Sequence, residues 1–148
     1  VTVALISALV TVVFHPSFAL LRRTIVFLDA IGMGLFAATG ASIAIDHHTR
    51  AFAATLIGML AAIGGGVLRD VLANEVPLLL QPADLYAVPA LVAAAVVAVG
   101  RTYTDLPSQV WVITGLIVGA LLRLVSLVLG WRLPMAPRGV GYRWRRGE

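Results

Sequence analysis

The residues with the greatest capacity for chemistry lie in the stretch AAIGGGVLRDVLANEVP, Ala61 to Pro77, where Gly64, Gly65 and Gly66 precede an adjacent Arg69 and Asp70. The surrounding sequence is strongly apolar. Glycine weakens a helix by about 1 kcal/mol relative to alanine, and a charge at the centre of a bilayer costs roughly 2.5 to 3.5 kcal/mol. Both expenses need a compensating role. A triple glycine in a membrane helix permits a break, and backbone groups released at a break must be buried in protein or face a water-filled cavity. Half-helix ends of that kind hold ions and substrates in transporters, cations at carbonyl ends and anions at N–H ends. The competing reading is close helix packing through three small residues, and the two are compatible.

Arg69 follows Gly65 by four and Gly66 by three, so it shares their helix face, whereas Asp70 is rotated from it by roughly 100 degrees. The two neighbours are therefore not expected to pair with each other along one face. Each is expected to seek a partner on another helix, and Asp29, at the entry of the preceding apolar run, is the candidate for Arg69. Snorkelling of Arg69 to the nearer membrane surface is the alternative, but the short side chain of Asp70 cannot follow it. Asp46, His47 and His48 form a weak metal set, since consecutive histidines do not share a face, and they read as a solvated loop. No Ser-His-Asp arrangement, phosphate loop or pair of catalytic acids is present, so the sequence points away from an enzyme and implies no cofactor.

The elements that must position these residues are membrane helices. Of the 148 residues 60% are hydrophobic and only 12% charged, and the mean hydropathy is +0.98. This is the composition of an integral membrane protein. Cysteine is absent, which excludes disulfides and thiolate chemistry. After a first apolar run, VTVALISALVTVVF, four more extend over approximately residues 24–45, 51–73, 84–100 and 109–131. They lack period-2 alternation, so the fold class is all-α, with about five transmembrane helices in view. The chain enters its first run without the charged start of a signal peptide and reads as a fragment whose upstream part is missing.

All eleven basic residues are arginines. With alternating spans, Arg22, Arg23 and the five arginines of the tail fall on one side and Arg50 and Arg101 on the other, which predicts a cytoplasmic C-terminus. Beside a membrane, such a basic tail reports topology and anionic lipid headgroups and not nucleic acid. Trp111 and Trp131 near the two ends of the last run fit an aromatic belt. Ala30, Gly34, Ala37, Ala41 and Ala44 make a strip of small side chains on the second run, and Gly115 and Gly119 form a GxxxG whose face continues to Arg123. Both predict close helix packing.

The blocks FLDAIGMGLFAATGASIA, AIGGGVLRDVLANEVPLLL, DLYAVPAL and RLVSLVLGWRLP together resemble the bacterial glycine-transporter-domain family, whose members are similar to the trimeric intracellular cation (TRIC) channels. The resemblance extends from Leu28 to Pro134. It implies a seven-helix fold of two inverted three-helix repeats and a final helix. Residues 1–23 are then a partial third helix and linker, 24–103 the second repeat, 104–134 the final helix and 135–148 a basic cytoplasmic tail. It further implies a homotrimer in the bacterial plasma membrane, with a potassium-permeable pore through each protomer. The family's name implies instead transport of glycine or another small solute. Gly64, Gly65 and Gly66 are the expected break lining the pathway, Arg69 and Asp70 its polar anchor, and Asp29, Gly32 and Gly34 the facing helix. A chain with one glycine block does not complete an inverted-repeat pathway, and the partner block is expected upstream.

Overall fold

The computed structural model describes residues 18–72 and 86–129 as four α-helices. These are α1 (Phe18–Asp46), α2 (Ala51–Leu72), α3 (Ala87–Tyr103) and α4 (Ser108–Val128). No strand occurs among the described residues, as expected for an all-α membrane protein. The first apolar run, the segment from Ala73 to Leu85, Trp131 and the arginine tail lie outside the described residues. Among the described residues three stretches are long and apolar enough to cross a membrane, Val26–Asp46, Ala51–Leu72 and Ser108–Val128, while α3 is a shorter apolar helix. The second run begins earlier than its apolar character suggested: α1 is already helical at Phe18 and carries Arg22 and Arg23 in its first turns.

Alanine dominates the interior. Ala30, Ala37, Ala38, Ala41, Ala54, Ala62, Ala90, Ala93, Ala94 and Ala98 are fully buried, whereas Phe27, Phe52, Ile57, Leu60, Ile113, Ile117 and Leu121 point outward. This is the packing logic of lipid, where large apolar side chains gain nothing by facing inward and small ones let backbones approach. The predicted strip on α1 is the core seam, with Ala30, Gly34, Ala37, Ala41 and Ala44 all buried. Gly58 shows how close the seam is, because a Cβ there would lie 2.5 Å from the Ala37 carbonyl oxygen and 2.8 Å from the Ala94 methyl. Helices α1 and α3 each pack against the other three, with α2 and α4 on their flanks. Within the spans, Thr39, Thr55, Thr102 and Thr114 donate their hydroxyls to the carbonyl four residues back. That satisfies each donor inside its own helix.

Short connections set the helix directions. After α1 the chain turns through His48, at φ 57, with the Thr49 N–H donating to the Ala44 carbonyl and the His48 N–H to that of Ile45. This pair of bonds is a Schellman stop with histidine in the left-handed position that glycine normally takes. Asp46, His47 and His48 are exposed, as a solvated loop requires, and no group able to hold a metal occurs among the described residues. Arg101, near the end of α3, donates to the Ser42 carbonyl (2.7 Å), the Ser42 hydroxyl (2.8 Å) and the Asp46 carboxylate (2.7 Å). The C-terminal ends of α1 and α3 therefore lie together, and α2 and α4 run the opposite way. At the same end the Trp111 indole donates to Thr104, 2.9 Å away, and its ring occupies the space a Cβ on Gly100 would need.

One expectation is overturned here. Helix α2 runs from Ala51 through Gly64, Gly65 and Gly66 to Leu72 without interruption. The backbone groups of the three glycines remain in the helix and are not released to face a cation. Helix propensity alone disfavours such a segment by about 3 kcal/mol, but tertiary packing overrides propensity. Gly65 lies under the Phe36 ring, where a Cβ would come within 3.2 Å of Cδ2, and Gly66 lies under Tyr86, where it would come within 2.9 Å of Cζ.

Candidate functional site

The polar residues at the opposite end of the bundle from Arg101 converge on one place. Asp29 lies seventeen residues before Asp46 on the same helix, so the two polar layers are about 25 Å apart along the axis. A hydrocarbon core is about 30 Å thick, which puts the second layer just inside one face of the membrane.

Arg69 is the hub of this layer. Its Nη1 forms an ion pair with Asp29 of α1, the partner expected from the sequence. Its Nε and Nη2 donate to Asp70 Oδ1 at 2.9 and 2.6 Å, a pairing the helix-face argument did not expect. The 100-degree rotation between neighbours separates their Cβ atoms, but the long arginine stem folds back across it and the planar guanidinium serves both carboxylates at once. The side chains of Asp29 and Asp70 are only 8% and 5% exposed, whereas that of Arg69 is 35% exposed. Asp70 thus belongs to a buried network. Arg69 pairs with both carboxylates while part of its side chain stays exposed.

A cavity of about 400 Å3 opens beside the cluster, lined by Asp29, Gly32, Met33 and Phe36 of α1, Gly65, Gly66 and Arg69 of α2, and Tyr86, together with Leu28 and Ala62. Most of its wall is apolar, with one carboxylate and one guanidinium at its polar edge. Gly32 has nothing within 4 Å of where a Cβ would stand, so its missing side chain contributes to the opening. Tyr86 is buried in the residue before α3.

Of the eight residues singled out in the sequence, Asp29, Gly32, Gly65, Gly66 and Arg69 line this cavity and Asp70 is hydrogen-bonded to it through Arg69. Two stand elsewhere. Gly34 faces α4, where a Cβ would lie 2.7 Å from the Leu116 carbonyl oxygen, and it acts in packing. Gly64 is on the exposed side of α2, with nothing within 4 Å of its missing Cβ.

Two further residues complete the site without having been singled out for it. Arg123 of α4 is only 2% exposed, and its guanidinium carbon stands 4.9 Å from the centroid of the Tyr86 ring. A desolvated arginine over an aromatic face is worth about 2 kcal/mol. Arg123 also lies in the electrostatic field of Asp29. The sequence did carry a signal for it, since an ionisable residue inside an apolar span is by default a functional candidate. The packing that delivers it is the GxxxG: Gly119 admits Ala93 and Gly34, where a Cβ would lie 2.7 Å and 3.4 Å from them, and Arg123 follows one turn later.

Comparison with known proteins gives consistent results. YadS, a UPF0126 inner membrane protein of Escherichia coli strain K12, is 28% identical over 133 residues, covering 89% of this chain and 64% of its own length. A UPF0126 membrane protein of Deinococcus radiodurans is 39% identical over 95 residues, covering 64% of this chain and 44% of its own. The chain thus spans less than two thirds of the length of these relatives. Among solved structures, a TRIC cation channel described for the basis of its conductance superposes with a TM-score of 0.76 at 32% identity, over 91% of this chain and 66% of that one. The TRIC channel orthologue from Rhodobacter sphaeroides gives 0.73 at 32% identity, over 83% and 62%. The fold is that of the TRIC channels, and the chain is a multi-pass membrane protein. Residues 26–102, which contain α2, α3 up to its last residue, most of α1 and every residue lining the cavity, match the family described as Glycine transporter, and the chain belongs to that family.

Proposed function

We infer that the protein is a subunit of a monovalent cation channel of the TRIC type, permeable to potassium, with its pathway passing the cavity between α1 and α2. One observation carries this reading: a cavity edged by Asp29 and Arg69, inside a mainly apolar bundle, stands in a fold shared with cation channels at 32% identity. Conduction needs sites that attract an ion without holding it. Asp29 supplies negative charge at the cavity, and its pairing with Arg69 tempers that charge, which suits weak binding. Side chains supply the attraction, because the carbonyls of Gly64, Gly65 and Gly66 stay within the helix. Gly65 and Gly66 keep the α2 wall of the pathway thin, and Asp70 holds Arg69 in place.

The solved relatives are described as trimeric channels, and a homotrimer with one pathway per protomer is the corresponding assembly. The bacterial inner membrane, with anionic lipids against the arginine tail and that tail in the cytoplasm, is the corresponding location.

The family's description as a glycine transporter supports a second reading, in which Arg69 takes the carboxylate and Asp29 the ammonium of a small zwitterion. That binding has to open the Arg69–Asp29 pair, at a cost the cation reading avoids. Reconstituted protein decides between them. A potassium gradient should produce a diffusion potential in proteoliposomes, and unitary currents should appear in planar bilayers. Saturable uptake of labelled glycine, competed by unlabelled glycine and without potassium conductance, refutes the channel.

A further inference from the structure

The cavity beside Asp29 is closed at its inner end. Its lining stops at Phe36 on α1 and at Ala62 on α2. One turn further the two helices meet: a Cβ on Gly40 would lie 3.0 Å from the Ala61 methyl and 3.1 Å from the Gly58 Cα, and one on Gly58 2.9 Å from the Ala41 methyl. Toward α3 the space is filled by Ala90, Ala93 and Ala94, all fully buried. A buried water needs room for a full sphere and at least two polar partners, and this alanine seam offers neither. A pathway that enters at Asp29 therefore does not continue between α1 and α2 toward the polar layer at Asp46. Among the described helices, it has to leave over the outer face of α1.

That face carries a line of residues suited to the task. Gly32, Thr39 and Asp46 follow one another at intervals of seven, a drift of roughly 20 degrees per step, so they share one side of α1. None of the three is buried. Gly32 opens into the cavity, Thr39 brings a hydroxyl to the inner part of the span, and Asp46 ends the helix with a carboxylate. The Thr39 hydroxyl donates to the Leu35 carbonyl, 2.7 Å away, and its oxygen can still accept. Phe36 stands between Gly32 and Thr39, rotated from Gly32 by roughly 40 degrees. Its ring lies across Gly65 of α2, where a Cβ would come within 3.2 Å of Cδ2, and half of the residue is exposed.

We propose that Phe36 is the constriction of the pathway: seated on Gly65, its ring separates the cavity at Asp29 from the line through Thr39 to Asp46. An apolar constriction limits ions by denying them water, so the volume at position 36 sets the conductance. Gly65 has a defined part in this. Without a side chain there, the ring can lie down on α2 and close the inner end of the cavity. The consequence for permeation rests on the channel reading; the barrier itself does not.

The barrier can be measured without any assumption about transport. The chain has no cysteine, so Gly32→Cys, with free space at its Cβ position, and Thr39→Cys report on the two sides of the ring. Membrane vesicles of uniform orientation, right-side-out or inverted, would be treated with the impermeant cation trimethylammonium-ethyl methanethiosulfonate, and the rates followed by mass spectrometry. In the orientation that lets Gly32→Cys react, Thr39→Cys should react about tenfold more slowly, the rate equivalent of wetting much of a phenyl ring. Adding Phe36→Ala should remove most of that difference and leave the Gly32→Cys rate nearly unchanged. Phe36→Leu should fall between. A merely structural role of Phe36 would move both rates together or neither. Equal rates with Phe36 in place, no effect of Phe36→Ala on Thr39→Cys, or no reaction of Gly32→Cys in either orientation overturns the proposal. If Phe36→Ala does not reach the membrane, Phe36→Leu carries the same test, and an unchanged Thr39→Cys rate there overturns it equally. In planar bilayers, unitary potassium conductance should rise from Phe36→Trp through the parent and Phe36→Leu to Phe36→Ala. Vesicles that show the rate change in a protein without potassium current would refute the channel reading and leave the constriction standing. A potassium current with rates and conductance indifferent to position 36 would do the reverse.

Discussion

Replacing Arg69 by methionine removes the hub of the polar layer while keeping most of its volume. Asp29 then loses its ion pair, and Asp70 loses the bonds it accepts at 2.9 and 2.6 Å from the guanidinium. Breaking a fully buried pair costs about 3–5 kcal/mol. The Arg69 side chain is 35% exposed, against 8% for Asp29, so water screens part of the interaction, and about 2 kcal/mol is the expected loss. For a chain of this size that corresponds to a melting midpoint lower by roughly 4–8 °C. Asp29→Asn should cost less, about 1 kcal/mol, because the amide oxygen still accepts from the guanidinium. The double variant should be less destabilised than the sum of the two by about 1 kcal/mol, the signature of residues in contact. Thermal scanning of the four proteins in one detergent measures the cycle. A midpoint for Arg69→Met within about 1 °C of the parent would refute the reasoning and show the guanidinium spending its free energy at the lipid headgroups.

Other substitutions separate packing from pathway. Gly58→Ala should destabilise by about 1–3 kcal/mol, since its methyl would stand 2.5 Å from the Ala37 carbonyl oxygen; Gly64→Ala, with open space at the same atom, should stabilise by up to about 1 kcal/mol. Paired melting curves check both, and a stabilised Gly58→Ala would contradict the seam. Gly65→Leu, which drives a side chain toward Phe36 and the cavity, should abolish potassium flux in vesicles while the protein still assembles, and undiminished flux would return Gly65 to a packing role. Cysteines placed at Gly147 and Thr49 should react with an impermeant thiol reagent on intact cells only at Thr49, and labelling at Gly147 alone would reverse the topology.

Much of the fold was legible because lipid imposes few and strong constraints. Four apolar runs became helices, since a backbone in hydrocarbon has to satisfy its own hydrogen bonds. The strip from Ala30 to Ala44 became the core seam, since small residues at spacings of three and four share one face. The partnership of Asp29 with Arg69 was also legible: charges are few in such a chain, and each buried one needs an opposite charge. Helix starts were less so. Arg22 and Arg23 hid the first turns of α1, because arginine ends an apolar run without ending a helix.

By itself the sequence determined the class of protein, its helices, the inward faces of α1 and α4, and one ion pair across α1 and α2. These follow from local composition and periodicity, which act within a single helix or through the cost of a lone charge in lipid. Only the tertiary structure decided the fate of the glycines, because propensity and packing oppose each other there. The rings of Phe36 and Tyr86 occupy the space beside Gly65 and Gly66, and α2 stays whole. Tertiary packing also decided that Arg69 folds back onto Asp70, that Gly34 turns to α4 while Gly32 opens the cavity, and that Arg123 stands behind Tyr86. Each of these depends on how two or more helices are rotated and spaced against one another, and no spacing along a single helix encodes that geometry.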